Sequence, residues 1–159
     1  MSSLNTALAI VVLLGSAMNA GLFFAFSNFI MKALSRLSVS AGVATMQSIN
    51  VVVLNPLFFG LFIGTTVASA ILVVLAIVSG SDPASLYWLG GGALFFVGTF
   101  LVTGLGNVPL NNHLAAVTTE DEAAHDIWQH YLTHWTRLNT VRTVFATLAA
   151  IVVLLGLMQ

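Results

Sequence analysis

The sequence contains very little charge. Of its 159 residues, 6% are Asp, Glu, Lys or Arg and 58% are hydrophobic. A typical soluble domain has about a quarter charged residues and under half apolar ones, and at this length it needs polar side chains to cover its surface. The composition therefore excludes an ordinary soluble domain and indicates an integral membrane protein. The net charge of -1 and the lack of a basic run also argue against a nucleic-acid partner.

Cysteine is absent, which excludes disulfides, thiolate chemistry and cysteine metal ligands. Acidic side chains are missing from the long apolar runs. This makes an ion-coupled transporter a weak interpretation, because intramembrane carboxylates usually carry the coupling.

Long hydrophobic runs are what the sequence has in abundance. A helix needs about 20 apolar residues to cross roughly 30 Å of hydrocarbon. Four segments qualify, at about 4–34, 45–78, 85–106 and 137–157. They predict an all-α protein, a transmembrane antiparallel four-helix bundle that forms one domain over residues 1–159.

Two of the four segments have special features. Pro56 lies inside the second, where it predicts a kink and an unpaired carbonyl near Val52. An amphipathic segment at about 119–136 precedes the fourth, with Thr119 as N-cap and Glu122 completing a capping box. We expect one long helix that begins outside the bilayer and continues through it.

Small residues indicate where helices approach each other. Gly60, Gly64 and Ala68 stand at four-residue spacing, a pattern that admits a close neighbour. That neighbour is either a helix of the same chain or a second copy, so a homo-oligomer remains open. The triplet at 90–92 predicts close packing on the third segment.

All four Lys and Arg residues flank the first-to-second and third-to-fourth connections. The positive-inside rule then places these connections in the cytoplasm. We expect a multi-pass protein of the plasma (inner) membrane with both termini outside the cytoplasm.

Polar residues within apolar segments indicate the bundle interior, because they cost free energy in hydrocarbon unless they find partners. At 100° per residue, five residues of the fourth helix share a sector of roughly 80°: Trp128, Tyr131, Trp135, Asn139 and Arg142. An antiparallel bundle brings them to the same membrane face as the polar ends of the other segments. The predicted pocket contains Ser27, Asn28, Gln47, Asn50, Asn107, Asn111, Asn112, Asn139 and Arg142 under a roof of Trp128 and Trp135, with Asn19 and Tyr131 as further substrate-binding candidates.

Each part of this pocket has a second interpretation. Asn and Gln also join helices in membranes, at about 0.6 kcal/mol per interaction, and the stretch "NVPLNN" suits a turn as well as the rim of a site. Arg142 has no acidic partner in the apolar runs, so it extends to the interface, donates to a chain of amide acceptors or holds an anionic ligand group. The aromatic residues of the fourth helix form either an interfacial belt or a stacking platform.

The histidines suggest further chemistry. His113 is the one base inside the asparagine motif, and it is either a catalytic base or a loop residue facing water. Asp126, His130 and His134 have metal-ligand spacing but fall on the polar side of the amphipathic segment. We predict no metal and no cofactor, while haem or a metal at His113, His130 or His134 stays open.

Four stretches resemble the anthrone-oxygenase-like family of small four-helix membrane proteins: "GLFFAFSNFIMKAL", "MQSINVVVLNP", "NVPLNNHLA" and "WQHYLTHWTRLNTVRT". The resemblance implies oxidation of a polycyclic anthrone to an anthraquinone by O₂. The residues that match the family pattern are Asn107, Pro109, Asn111, Trp128, Trp135, Asn139 and Arg142. Many relatives have His where Thr140 stands, so this chain either uses His113 as the base or lacks the reaction.

The resemblance gives the predicted residues their roles. Arg142 and the asparagines would hold an oxyanion, Trp128 and Trp135 would stack on a planar hydrophobic aromatic substrate, and His113 would take the proton. The alternative is a non-catalytic membrane protein that binds a lipid, a quinone, haem or a partner helix.

Overall fold

The computed structural model describes residues 3–79, 83–118 and 123–159, which form five helices and no strand. These helices are α1 (Ser3–Leu34), α2 (Val39–Val52), α3 (Pro56–Ser79), α4 (Ser85–Ala115) and α5 (Ala124–Leu157). All except α2 are long and apolar enough to cross a membrane. The prediction of an all-α protein with four long apolar helices is confirmed.

The four long helices enclose a common core. α1 and α4 each pack against both α3 and α5. One buried cluster contains Ala9 near the start of α1, Leu72 near the end of α3, Trp88 near the start of α4 and Val153 near the end of α5. Starts and ends of successive helices meet in this way in an antiparallel bundle.

The distribution of polarity is the reverse of that in a soluble bundle. Leu14 and Val74 are each 58% exposed and Leu105 is 81% exposed, whereas Asn139 is fully buried and Arg142 nearly so. An apolar surface of this extent is stable in contact with lipid. The structure thus agrees with the composition in describing a membrane protein.

A break at residues 53–55 separates α2 from α3. Pro56 is the first residue of α3, where its missing N–H and fixed φ are well tolerated. Asn55 closes the break: its Nδ2 donates to the Val52 carbonyl and its Oδ1 accepts the Phe58 N–H, each at 3.0 Å. The prediction of one span over 45–78, kinked at Pro56 with an unpaired carbonyl near Val52, is therefore wrong. Two helices cover this stretch, and the Val52 carbonyl accepts a hydrogen bond from Asn55.

The α4 helix continues past its predicted end at residue 106 and stops at Ala115. Two stretches of π-helix lie within it, at Phe96–Leu101 and Thr103–Asn107. The Val108 N–H accordingly bonds to the Thr103 carbonyl, and Pro109 then stands in the first turn of the next α-helical stretch, where its missing N–H costs little. The "NVPLNN" stretch is therefore helical, which excludes its interpretation as a turn but not its interpretation as the rim of a site.

The α5 helix combines the predicted amphipathic segment and the fourth span in one continuous helix, as expected. The predicted capping box, Thr119 and Glu122, lies outside the described residues. On α4, a Cβ at Gly92 would lie 2.8 Å from the Ser69 carbonyl oxygen, so close packing there does depend on glycine. Within the described structure, Gly60 and Gly64 have nothing within 4 Å of a Cβ position.

Candidate functional site

A cavity of about 470 Å³ lies between the second half of α1, α2, the second half of α4 and the middle of α5. This volume falls within the roughly 300–1,000 Å³ typical of small-molecule sites. One wall is apolar and includes Leu22, Phe26, Met46, Ile49 and Phe58. The polar residues at the cavity are Gln47, Asn50, Thr103, Asn107, Asn111, Asn112, Asn139 and Arg142.

The structure brings most of the predicted site residues to this cavity. Those that line it are Gln47, Asn50, Asn107, Asn111, Asn112, Trp135, Asn139 and Arg142. Asn19, Trp128 and Tyr131 are buried but do not line it. Ser27 contacts the site only through Asn139, and Asn28 is exposed outside it.

Arg142 is buried in the wall of the cavity, with 5% of its surface exposed. Its Nη1 donates to Thr103 Oγ1 at 3.1 Å and its Nη2 donates to Asn139 Oδ1 at 2.6 Å. Its Nε has no partner in the described structure. No carboxylate of a described residue pairs with Arg142, so the guanidinium has no counter-charge at the largely apolar cavity whose wall it forms.

Two aromatic rings flank the guanidinium. Arg142 Cζ lies 4.3 Å from the centroid of the Phe23 ring and 5.4 Å from that of the Trp135 ring. The negative faces of these rings partly stabilise the charge. This geometry excludes the interpretation in which Arg142 extends to the membrane surface.

Asn139 connects Arg142 to α1. Its Nδ2 donates to the Phe23 carbonyl at 2.6 Å and to Ser27 Oγ at 2.7 Å, while its Oδ1 accepts from Arg142. The Phe23 carbonyl is in the turn just before a π-helical stretch at Phe26–Ile30. Such wide turns rearrange the helical hydrogen bonds and commonly mark functional sites.

Asn111 is oriented by two aromatic side chains of α5. Its Oδ1 accepts hydrogen bonds from Tyr131 Oη and from Trp135 Nε1, both at 2.8 Å. Because an indole nitrogen can only donate, the amide oxygen must face Trp135. The Nδ2 group of Asn111 therefore points away from Trp135 Nε1, on a residue that lines the cavity, and no hydrogen bond joins it to another described residue.

Asn107 lies one turn before Asn111 and is buried, with 1% of its surface exposed. Its Nδ2 donates to the Trp135 backbone carbonyl at 3.2 Å. Its Oδ1 has no partner within the described structure.

Polar and aromatic contacts hold α2 over the cavity. Gln47 Nε2 donates to the carbonyls of Leu114 and Val117 at 2.9 and 3.0 Å, which fastens α2 to the end of α4. Asn50 Nδ2 makes a longer bond of 3.4 Å to Tyr131 Oη.

The predicted aromatic roof is only half right. Trp128, Tyr131 and Trp135 form a stacked row with successive centroid distances of 5.8 and 5.9 Å. Trp135 alone reaches the cavity, whereas Trp128 packs over Gly42 of α2, where a Cβ would meet the indole at 2.8 Å. All three rings are buried, so they do not form an interfacial belt.

The histidine predictions fare differently. His113 is exposed on α4 and is not among the residues that line the cavity, so the structure does not bring it to the other predicted site residues. The cause is the helical course of residues 107–112, which turns His113 away from the asparagines that face α5. Asp126, His130 and His134 are exposed, and no group of three potential metal ligands occurs among the described residues.

Thr103 is a site residue that was not predicted. It donates to the Thr99 carbonyl at 2.8 Å and accepts from Arg142, so its hydroxyl forms both kinds of hydrogen bond. Thr99, Thr103 and Asn107 stand at four-residue spacing in the sequence, and this spacing of polar residues is the feature that could have identified Thr103 as a site residue. The apolar wall, including Leu22 and Phe58, has no sequence signature that separates it from lipid-facing residues.

These features define a class of protein. It is a small helical membrane protein in which a buried arginine, with no acidic partner among the described residues, lies in the wall of a largely apolar cavity. Comparison with known protein families matches residues 55–152 to the anthrone oxygenase family, and the chain belongs to that family. The match includes Asn107, Asn111, Asn139 and Arg142 but not α1 or α2. No curated protein and no solved structure matches the chain.

Proposed function

We propose that the cavity binds a planar, hydrophobic aromatic compound with an acidic oxygen and supports its oxidation by O₂. The observation that carries this proposal is Arg142, a buried cation in the wall of a largely apolar cavity with no acidic partner among the described residues. A ligand oxyanion would supply the missing counter-charge, and the Nδ2 group of Asn111 would donate to the same oxygen or its neighbour. Membership of the anthrone oxygenase family supports an anthrone as substrate.

The reaction balances without a further reagent. Loss of one proton from the methylene group of an anthrone gives an anion whose charge is delocalised onto the carbonyl oxygen. Transfer of one electron to O₂ and recombination of the radicals give a hydroperoxide after protonation. Cleavage of the O–O bond releases water and leaves the second carbonyl, so one anthrone and one O₂ give one anthraquinone and one water.

Arg142 would act by stabilising the anion. Among the described residues, no His, Asp or Glu lines the cavity, so the proton would pass to water. A positive charge in an apolar, low-dielectric cavity strongly favours the deprotonated substrate. The apolar wall would also pack against the flat rings of the substrate. O₂ is itself apolar and would partition into the cavity.

The test is oxidation of anthrone under air by the protein reconstituted in nanodiscs, followed by quinone absorbance. Replacing Arg142 with Gln should lower the rate about 10²- to 10³-fold, as loss of one oxyanion donor does elsewhere, and Arg142→Lys should retain part of the activity. Arg137→Gln is the matched control, because Arg137 is exposed on the same helix. A rate equal to that of empty nanodiscs, or one unchanged by Arg142→Gln, would contradict the proposal.

A second candidate function is ligand binding without turnover. It is favoured by the lack of a base among the described residues of the cavity wall. The ligand would then be an acidic lipid or a quinone rather than haem, because His113, His130 and His134 are exposed and away from the cavity. Organic extraction of purified protein followed by mass spectrometry tests this, and a Soret band in the visible spectrum would favour haem instead.

We further propose the plasma (inner) membrane, with both termini outside the cytoplasm and the cavity near the cytoplasmic face. Lys32, Arg36 and Arg137 are exposed at the cavity end of the bundle, which supports this orientation. Because the chain has no cysteine, single substitutions at exposed Ser3 and Ser35 report topology directly. An impermeant maleimide added to intact cells should label Ser3→Cys and not Ser35→Cys.

The open face at Gly60 and Gly64 leaves room for a second copy, which cross-linking in the membrane would detect.

A further inference from the structure

The orientation of the Asn107 amide is fixed by its partner. The Trp135 carbonyl can only accept, so the group facing it at 3.2 Å must be the amide nitrogen. The amide oxygen consequently points elsewhere, and it is buried without a partner in the described structure. Buried acceptors are nearly always paired in folded proteins, so this atom calls for an explanation.

Asn107 is a residue of the cavity wall. Thr103, one turn earlier on α4, binds the guanidinium of Arg142, and Asn111, one turn later, also lines the cavity. The amide oxygens of Asn111 and Asn139 already accept hydrogen bonds from protein donors. Asn107 Oδ1 is therefore the amide oxygen of these three asparagines that has no partner within the described structure.

We propose that Asn107 Oδ1 is a specificity-determining acceptor, which receives a hydrogen bond from a hydroxyl group of the ligand whose acidic oxygen Arg142 holds. The inference rests on the proposed function for its anionic ligand and adds the requirement for a hydroxyl. A ligand hydroxyl that donates to this oxygen gains a hydrogen bond with a buried acceptor that is otherwise unpaired, and a ligand without a hydroxyl does not gain it.

The experiment measures binding in nanodiscs of zwitterionic lipid by equilibrium dialysis, with empty nanodiscs as the background. The probes are 2-naphthoate and its monohydroxy isomers, which carry a carboxylate for Arg142 and a hydroxyl at different positions. At least one isomer should bind the native protein about 10-fold more tightly than 2-naphthoate. Binding needs no turnover, so the result is independent of any oxidation.

The variants separate specificity from structure. In Asn107→Leu the gain from the hydroxyl should fall to less than about 2-fold, whereas in Asn28→Leu, an exposed asparagine outside the cavity, it should remain. Asn107→Ala repeats the test with a smaller side chain should Asn107→Leu not fold. Retention of the hydroxyl preference in both Asn107 variants overturns the inference.

Failure of the inference and failure of the proposed function give different results. If 2-naphthoate and all of its hydroxyl isomers bind the native protein equally, Asn107 does not select ligands, although Arg142 still holds an anion. If no probe binds above the background, both proposals are contradicted. If the probes bind and Arg142→Gln leaves their affinity unchanged, the anion site is elsewhere and both are again contradicted.

Discussion

The two ends of the bundle are filled in different ways. At the end formed by the start of α1 and the end of α5, glycines allow helices to touch: a Cβ at Gly91 would collide with Val153, and one at Gly156 would lie 2.8 Å from Tyr87 Cβ. At the other end the helices part around a cavity of about 470 Å³. Membrane helices associate chiefly through close packing of this first kind.

This difference between the two ends is relevant to the role of the buried asparagine side chains at the cavity end. At the packed end, buried polar atoms such as Ser69 Oγ and Trp88 Nε1 have no partner within the described structure. At the cavity end, Trp135 Nε1 donates to Asn111 and Asn139 makes hydrogen bonds through both ends of its amide. The helices at the packed end are joined by close packing, whereas those at the cavity end are also joined by hydrogen bonds of asparagine side chains to neighbouring helices.

The substitution expected to have the largest effect replaces a closely packed glycine with a larger residue. Gly92→Leu places side-chain atoms against the Ser69 carbonyl, a backbone group that cannot move away cheaply. We expect a loss of about 3 kcal/mol or more in unfolding free energy, measured by circular dichroism in mixed micelles. Gly64→Leu is the matched control on an open surface, and it should cost less than about 1 kcal/mol.

A pair of buried asparagines gives the next largest contrast. Asn139→Leu removes bonds to the Phe23 carbonyl, Ser27 and Arg142, and it should cost about 2–3 kcal/mol because it leaves a buried guanidinium N–H unpaired. Asn19 is equally buried, but its Nδ2 bonds only within its own helix, to the Gly15 carbonyl. Asn19→Leu should therefore cost less than about 1 kcal/mol. Equal losses at the two positions would show that the network at Asn139 has no special importance.

Removing one hydroxyl from the network should have a smaller effect. Tyr131→Phe deletes the donor to Asn111 Oδ1 and the acceptor for Asn50, at a cost of about 1 kcal/mol. Because Trp135 still fixes Asn111, the affinity for 2-naphthoate should fall by less than about 5-fold. Tyr87→Phe, a half-buried tyrosine at the packed end, is the control and should change neither quantity. A loss of binding larger than that of Arg142→Gln would mean that Tyr131 itself contacts the ligand.

Most of the fold could be predicted from hydrophobic length alone, because each long apolar run has only one stable state in lipid. The break at residues 53–55 and the π-helical stretches of α4 could not. Both depend on where backbone N–H groups find carbonyls, and a proline between apolar residues is compatible with a kink, a break or a continuing helix.

The site was partly predictable for a related reason. Helical spacing on α5 identifies the buried face that carries Trp135, Asn139 and Arg142, because that helix is regular throughout. On α4 the π turns shift the direction of every later side chain. Spacing alone therefore could not show that Asn107 and Asn111 face α5 while His113 faces outward.

The smallest predicted effect is at His113. A general base must lie within hydrogen-bonding reach of the proton that it removes, and this side chain is exposed and does not line the cavity. We expect His113→Ala to change both anthrone oxidation and 2-naphthoate binding less than about 2-fold, as should the control His130→Ala, another exposed histidine. A loss of oxidation comparable to that of Arg142→Gln, with binding unchanged, would require α4 to rotate during the reaction.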